Sequence, residues 1–153
     1  MNNLELIRQK QEIDGLFGQV RGFSGDPYIK ALLTYYLCIR VSGFLENCVR
    51  IIFTEYSMPR SKDHVCTFVT RKLREFPNPT YENICKLAKD FDDQWVKTFK
   101  SSIPAYIRQS LESIRVNRNA IAHGSNSPIT VAQLANYYQD AVQLVERLEE
   151  TCV

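Results

Sequence analysis

Apolar residues return after three and four positions along nearly every stretch of this chain, and nowhere do they alternate over the length of a strand. A period near 3.6 gathers such residues on one side of a helix, whereas a half-buried strand needs a period of two. The chain is therefore read as all-α, a helical bundle of about five to six helices. Proline and glycine fix where the helices stop, because neither sustains a helix interior. The breaks fall at Gly22 to Pro27, at Pro59, at Pro77-Asn78-Pro79, near Pro104, and at Gly124 to Pro128.

Between these breaks the first amphipathic helix runs from about Leu4 to Val20, and a second starts on Asp26-Pro27 and continues to about Tyr56. The second carries Leu33, Leu37, Val41, Phe44, Leu45, Cys48, Ile51 and Ile52 on one broad face, the pattern of a central core helix. A third helix is expected from about Ser61 to Phe76. Thr80 caps a fourth, with Glu82 in its first turn, burying Ile84, Leu87, Ala88, Phe91 and Trp95. Its Asp90, Asp92 and Asp93 read as a solvated face. The fifth spans Pro104 to Gly124, and Thr130 caps the last. No internal repeat or composition shift divides residues 1–153, so one domain is expected.

The formal charge of +2 is too small to announce a nucleic-acid protein by bulk charge, so any such site has to come from local placement of cations. Cys38, Cys48, Cys66, Cys85 and Cys152 are odd in number and widely spaced, which argues against a disulfide framework and a zinc ribbon. Free thiols in a reducing cytoplasm are the expectation. Arg40, Glu46, Asn47 and Arg50 interrupt the most apolar stretch, so no membrane segment is expected, and the N-terminus does not read as a signal peptide. His64-Val65-Cys66 offers two soft ligands that diverge on a helix, so neither a metal nor a cofactor is expected. Tyr35, Tyr36, Tyr137 and Tyr138 read as core before base-stacking partners.

The fifth helix departs from the pattern. At about 100° per residue Ile107, Leu111, Ile114 and Ile121 share one stripe, and Arg118 falls in the middle of it. A buried charge without partners is costly. Arg118 must therefore pair with a carboxylate or face a cleft or subunit interface that admits an anion. Arg115, Asn119 and His123 follow at intervals of four and line a neighbouring strip. His123 falls in the last turn, before a Gly124 that fits a left-handed cap, where the helix dipole favours a protonated imidazole and a group titrating near neutral pH. A guanidinium that grips phosphate through two donors, an amide, and an imidazole that moves a proton are the parts of metal-free phosphodiester cleavage.

The string Arg118-Asn119-Ala120-Ile121-Ala122-His123-Gly124 resembles the mark of the HEPN superfamily, named for higher eukaryote and prokaryote nucleotide-binding domains. Ser42 to Asn47, Phe91-Asp92 with Trp95, and Thr130 to Tyr138 look like its RiboL-PSP-HEPN subgroup. The resemblance implies a HEPN-like helical fold and a homodimeric endoribonuclease in which the motif helices of two copies build one RNA cleft. It implies a toxin of a toxin-antitoxin pair or a phage-defence effector, with RNA as substrate and an antitoxin protein as a partner. It assigns catalysis to Arg118 and His123, the polar position between them to Asn119, and a supporting role to Glu46, which would hold Arg118. Arg115 is carried as a second supporting cation. Two rival readings stand beside this one. An inactive module would bind RNA, nucleotide or a protein through the same cleft, and a structural role would lock Arg118 onto Glu46.

Overall fold

The computed structural model describes residues 1–76 and 78–152. Among these, seven α-helices and one short 3-10 turn account for the regular structure: α1 Leu4–Gly22, α2 Pro27–Ser57, the turn Met58–Arg60, α3 Asp63–Arg74, α4 Tyr81–Phe91, α5 Asp93–Ser102, α6 Ala105–Ala122 and α7 Val131–Thr151. Helix starts follow local chemistry. Asn3, Asp26, Thr80 and Asp92 each accept backbone N–H groups of the turn they open, and Thr130 with Gln133 closes a reciprocal capping box on α7.

The helix count corrects the expectation of about five to six. The stretch read as one helix from Thr80 through Trp95 is two, because Asp92 adopts an extended backbone (φ −159°, ψ 124°) and its carboxylate accepts the Gln94 N–H at 2.6 Å. Asp92 is therefore a cap, and it stays exposed to solvent as Asp90 and Asp93 do. Apolar spacing runs unbroken across the kink because Phe91 and Trp95 stack, 6.1 Å apart and 11° from parallel, and both rings lean on Phe53.

The 31-residue α2 is the spine. Leu37, Val41, Phe44, Leu45, Cys48, Val49 and Phe53 are buried along it, and α1, α3, α6 and α7 pack against its sides. Tyr138 of α7 sits at the centre of the core, stacked on Phe17 at 5.1 Å and edge-on to Phe44 at 5.5 Å. Its hydroxyl donates to Asp14 Oδ1 (2.9 Å), so the polar tip of this ring is satisfied inside apolar surroundings. Cys38, Cys48, Cys85 and Cys152 are buried free thiols, while Cys66 is half-buried. Desolvation pushes Cys38 up to about 11 and Cys152 up to about 12. No helix is long and apolar enough to cross a membrane.

Candidate active site

Helix α6 is laid onto α2 and α7 by Ile107, Ser110, Leu111 and Ile114, all buried. From Arg115 to Ile121 burial becomes partial or absent, so its last two turns stand at the surface. Arg118 continues the buried stripe and is half-buried. The helix ends in a double backbone clasp: Ser125 N–H donates to Ala120 O (2.8 Å) and Gly124 N–H to Ile121 O (3.0 Å), with Gly124 at φ +74°. This is the Schellman arrangement, which needs a residue free to take left-handed backbone angles. His123 is the C-cap immediately before that glycine, and its side chain is exposed. Backbone hydrogen bonds thus set its position.

Arg118 faces a narrow cleft lined by Ser42 and Leu45 of α2, Asn78 and Pro79 of the loop before α4, and Leu111, Ile114 and Arg115 of its own helix. Its hydrogen bond is to the Asn119 side-chain oxygen (Nη1 to Oδ1, 3.2 Å). That contact ties the guanidinium to Asn119, and among the described residues no side-chain hydrogen bond joins either of them to His123. Of the alternatives left by the sequence, a carboxylate pair is not seen among the described residues; the crevice itself, about 10 Å³, has room for a water and not for a phosphate.

Glu46 does not hold Arg118. Its carboxylate pairs with Arg50 at 2.5 Å, one turn further along α2, and Arg50 in turn donates to the backbone oxygens of Leu73 (3.0 Å) and Arg74 (3.2 Å) at the end of α3. A Glu four residues before an Arg meets it on the same helix face. Arg115 also has a private partner. Glu112, one turn back, accepts from its Nε (2.8 Å) and Nη2 (2.5 Å), and this fork holds the Glu112 carboxyl below the usual carboxylate range. Among the described residues, Arg118 alone of these three arginines has no carboxylate partner.

A second set of side chains, of which the sequence singles out only Tyr35, and that as core, fixes the chain just after the motif. Ser127 is buried; its hydroxyl donates to Asn117 Oδ1 (2.6 Å), its N–H donates to the Tyr35 hydroxyl (3.0 Å), and that hydroxyl donates to Ser127 O (2.9 Å). The loop leaving His123 is thereby pinned to both α2 and α6. Tyr35 is half-buried and tied here, Tyr138 is core, Tyr137 is half-buried, and Tyr36 is exposed beside Arg40. His64 is exposed on α3, and the Cys66 thiol points at the backbone oxygens of Met58 and Ser61. Among the described residues no three His, Cys, Asp or Glu side chains gather as a metal would need.

The site therefore offers an uncompensated guanidinium in a cleft, an amide that steers it, and an exposed imidazole at a helix end. Matched against families of known proteins, residues 4–153 fit RiboL-PSP-HEPN. Neither the curated proteins nor the solved structures give a match. With nearly its whole length covered by that match, the chain belongs to the RiboL-PSP-HEPN family.

Proposed function

We propose that this protein is a metal-independent RNA endonuclease. The observation that carries the reading is Arg118: a half-buried cation at the rim of a narrow crevice, without a carboxylate partner among the described residues, on the helix that ends in His123. Desolvation of an unpaired charge has a cost, and an incoming phosphate would offset it. In the proposed reaction the 2′-hydroxyl oxygen attacks phosphorus as it gives up its proton, and the bond from phosphorus to the 5′-oxygen breaks as that oxygen gains one. The products are a 2′,3′-cyclic phosphate and a 5′-hydroxyl. His123 serves as base or acid, and Arg118 stabilises the added charge on the phosphorane.

Two copies would complete the site. Arg118 and His123 are five residues apart, so they leave the helix about 140° apart in azimuth and about 7.5 Å apart along its axis. Facing α6 helices would supply an Arg and a His from each copy, one imidazole as base and the other as acid. An exposed apolar stripe on α2, formed by Ile29, Leu32, Tyr36 and Ile39 at intervals of three and four, supports such an assembly, as does the exposed Val116 on α6. A role as toxin or phage-defence effector, checked by an antitoxin protein, completes the reading.

The test is incubation of the purified protein with single-stranded RNA and with DNA of the same sequence, with and without chelator. Cyclic-phosphate ends on RNA, intact DNA and unchanged rates with chelator are expected, together with loss of cleavage in His123→Ala. Cleavage of DNA, or activity abolished by chelation, would sink the proposal. Mixing Arg118→Ala with His123→Ala subunits tests the shared site, since restored activity in heterodimers requires contributions from both copies.

A further inference from the structure

We infer that the trough between α3 and α4 is a docking site for an amphipathic helix of a partner protein. That helix carries bulky apolar residues at i, i+3 or i+4 and i+7 and, beside them, an acidic and a basic residue one turn apart. The trough has a volume of about 670 Å³. Val65, Phe68, Val69 and Leu73 form one apolar wall, and Leu87 and Phe91 form the other. Every described residue that lines it falls within 65–91, so it has two helical walls and no third.

Helix α3 is built to be covered on this side. Val65, Phe68, Val69 and Leu73 follow the three-and-four spacing of a face turned to a neighbour, yet Leu73 alone of the twelve residues of α3 is buried. Phe68 stays 61% exposed and Val65 49%. Such a recessed apolar strip suits the ridge of a third helix, whereas a bilayer presents a flat face that cannot follow a concave surface.

Length and charge narrow the occupant further. The walls run from Val65 to Leu73 and from Asn83 to Phe91, about 12 Å each, the span of anchors from i to i+7 on a facing helix. A strip of that length and one helix wide, about 10 Å, falls far short of the roughly 800 Å² per partner that a stable dimer buries, which argues against a second copy of this chain. At the rim Lys72 and Glu75 pair with each other at 3.7 Å. Lys86 and Asp90, four residues apart on α4, are exposed and have no ion pair among the described residues. An acidic residue set against Lys86 and a basic one against Asp90 would complete both and fix the direction of the incoming helix.

The experiment displays randomised helical peptides of about 18 residues on phage, selects them against the full chain, and measures the enriched ones by fluorescence anisotropy. Enriched sequences are expected to carry Leu, Ile, Phe or Met at the anchor spacing, with opposite charges one turn apart beside them. Val65→Gln with Phe68→Gln is expected to weaken their binding roughly tenfold or more, the loss typical of removing interface anchors. Both side chains are exposed and Gln is a good helix former, so the fold is retained. Leu4→Gln with Tyr28→Gln, two exposed apolar residues elsewhere, leaves the affinity in place. Lys86→Glu with Asp90→Lys keeps the net charge and is expected to select peptides whose acidic and basic residues have changed places. No enriched helix, binding that survives Val65→Gln with Phe68→Gln, or selection indifferent to the charge swap would overturn the inference. So would self-association of the wild type that Val65→Gln with Phe68→Gln abolishes, which would give the trough to a second copy. None of these outcomes bears on RNA cleavage at α6, so the two readings fail separately.

Discussion

Replacing Tyr35 by Phe isolates the strut behind the motif, because the ring stays and only its hydroxyl leaves. That hydroxyl both donates to Ser127 O (2.9 Å) and accepts from Ser127 N–H (3.0 Å), and Ser127 is only 9% exposed. Two hydrogen bonds at about 0.5–1.5 kcal/mol each predict a loss of roughly 1–3 kcal/mol. The stranded Ser127 N–H and C=O keep the loss off the bottom of that range, at about 2 kcal/mol. For a chain of this length each kcal/mol lowers Tm by about 2–4 °C, so a fall of about 4–8 °C is expected. Calorimetry reads the shift, and amide exchange localises it: the Ser127 amide loses protection while those of α1 keep theirs. A Tm within about 1 °C of the wild type, with the Ser127 amide still protected, would refute the claim that this hydroxyl secures the loop leaving His123.

Gly124→Ala is expected to cost about 1–2 kcal/mol, read as a lower Tm; no atom lies within 4 Å of the added Cβ, so the penalty is that of a left-handed backbone alone. Arg118→Met separates stability from activity: with no ion pair to break, Tm holds or rises, whereas RNA cleavage falls by about a hundredfold or more. Under native conditions a thiol reagent should label Cys66 before the four buried cysteines. Burial raises the folded-state values of Cys38 and Cys152, so the stability their neutral thiols confer is complete below the unfolded value of about 8.5 and is lost as pH climbs from there toward about 11 to 12. Denaturant midpoints measured from neutral to alkaline pH check that sign.

The helical class and most helix starts were legible because caps and breakers act locally: Asn3, Asp26, Thr80 and Thr130 sit where short-range chemistry demands them. The kink at Asp92 was not, since Phe91 and Trp95 keep helical spacing while meeting on Phe53, a residue almost forty positions earlier. The stripe containing Arg118 follows from periodicity, yet what the guanidinium faces depends on Ser42 and Asn78, distant in sequence. Glu46 was assigned across helices although Arg50, four residues on, already offered the shorter reach. Tyr35, Asn117 and Ser127 gave no local signal, because their meeting spans up to 92 positions.

Helix α3 buries Leu73 alone among its twelve residues, a hold on the order of 1.5–3 kcal/mol. In the language of native-state exchange, it is a natural candidate for opening before the spine does, at a free energy well below that of global unfolding. Limited proteolysis under native conditions would then reach the bonds within residues 63–74 while those of α2 and α7 stay protected.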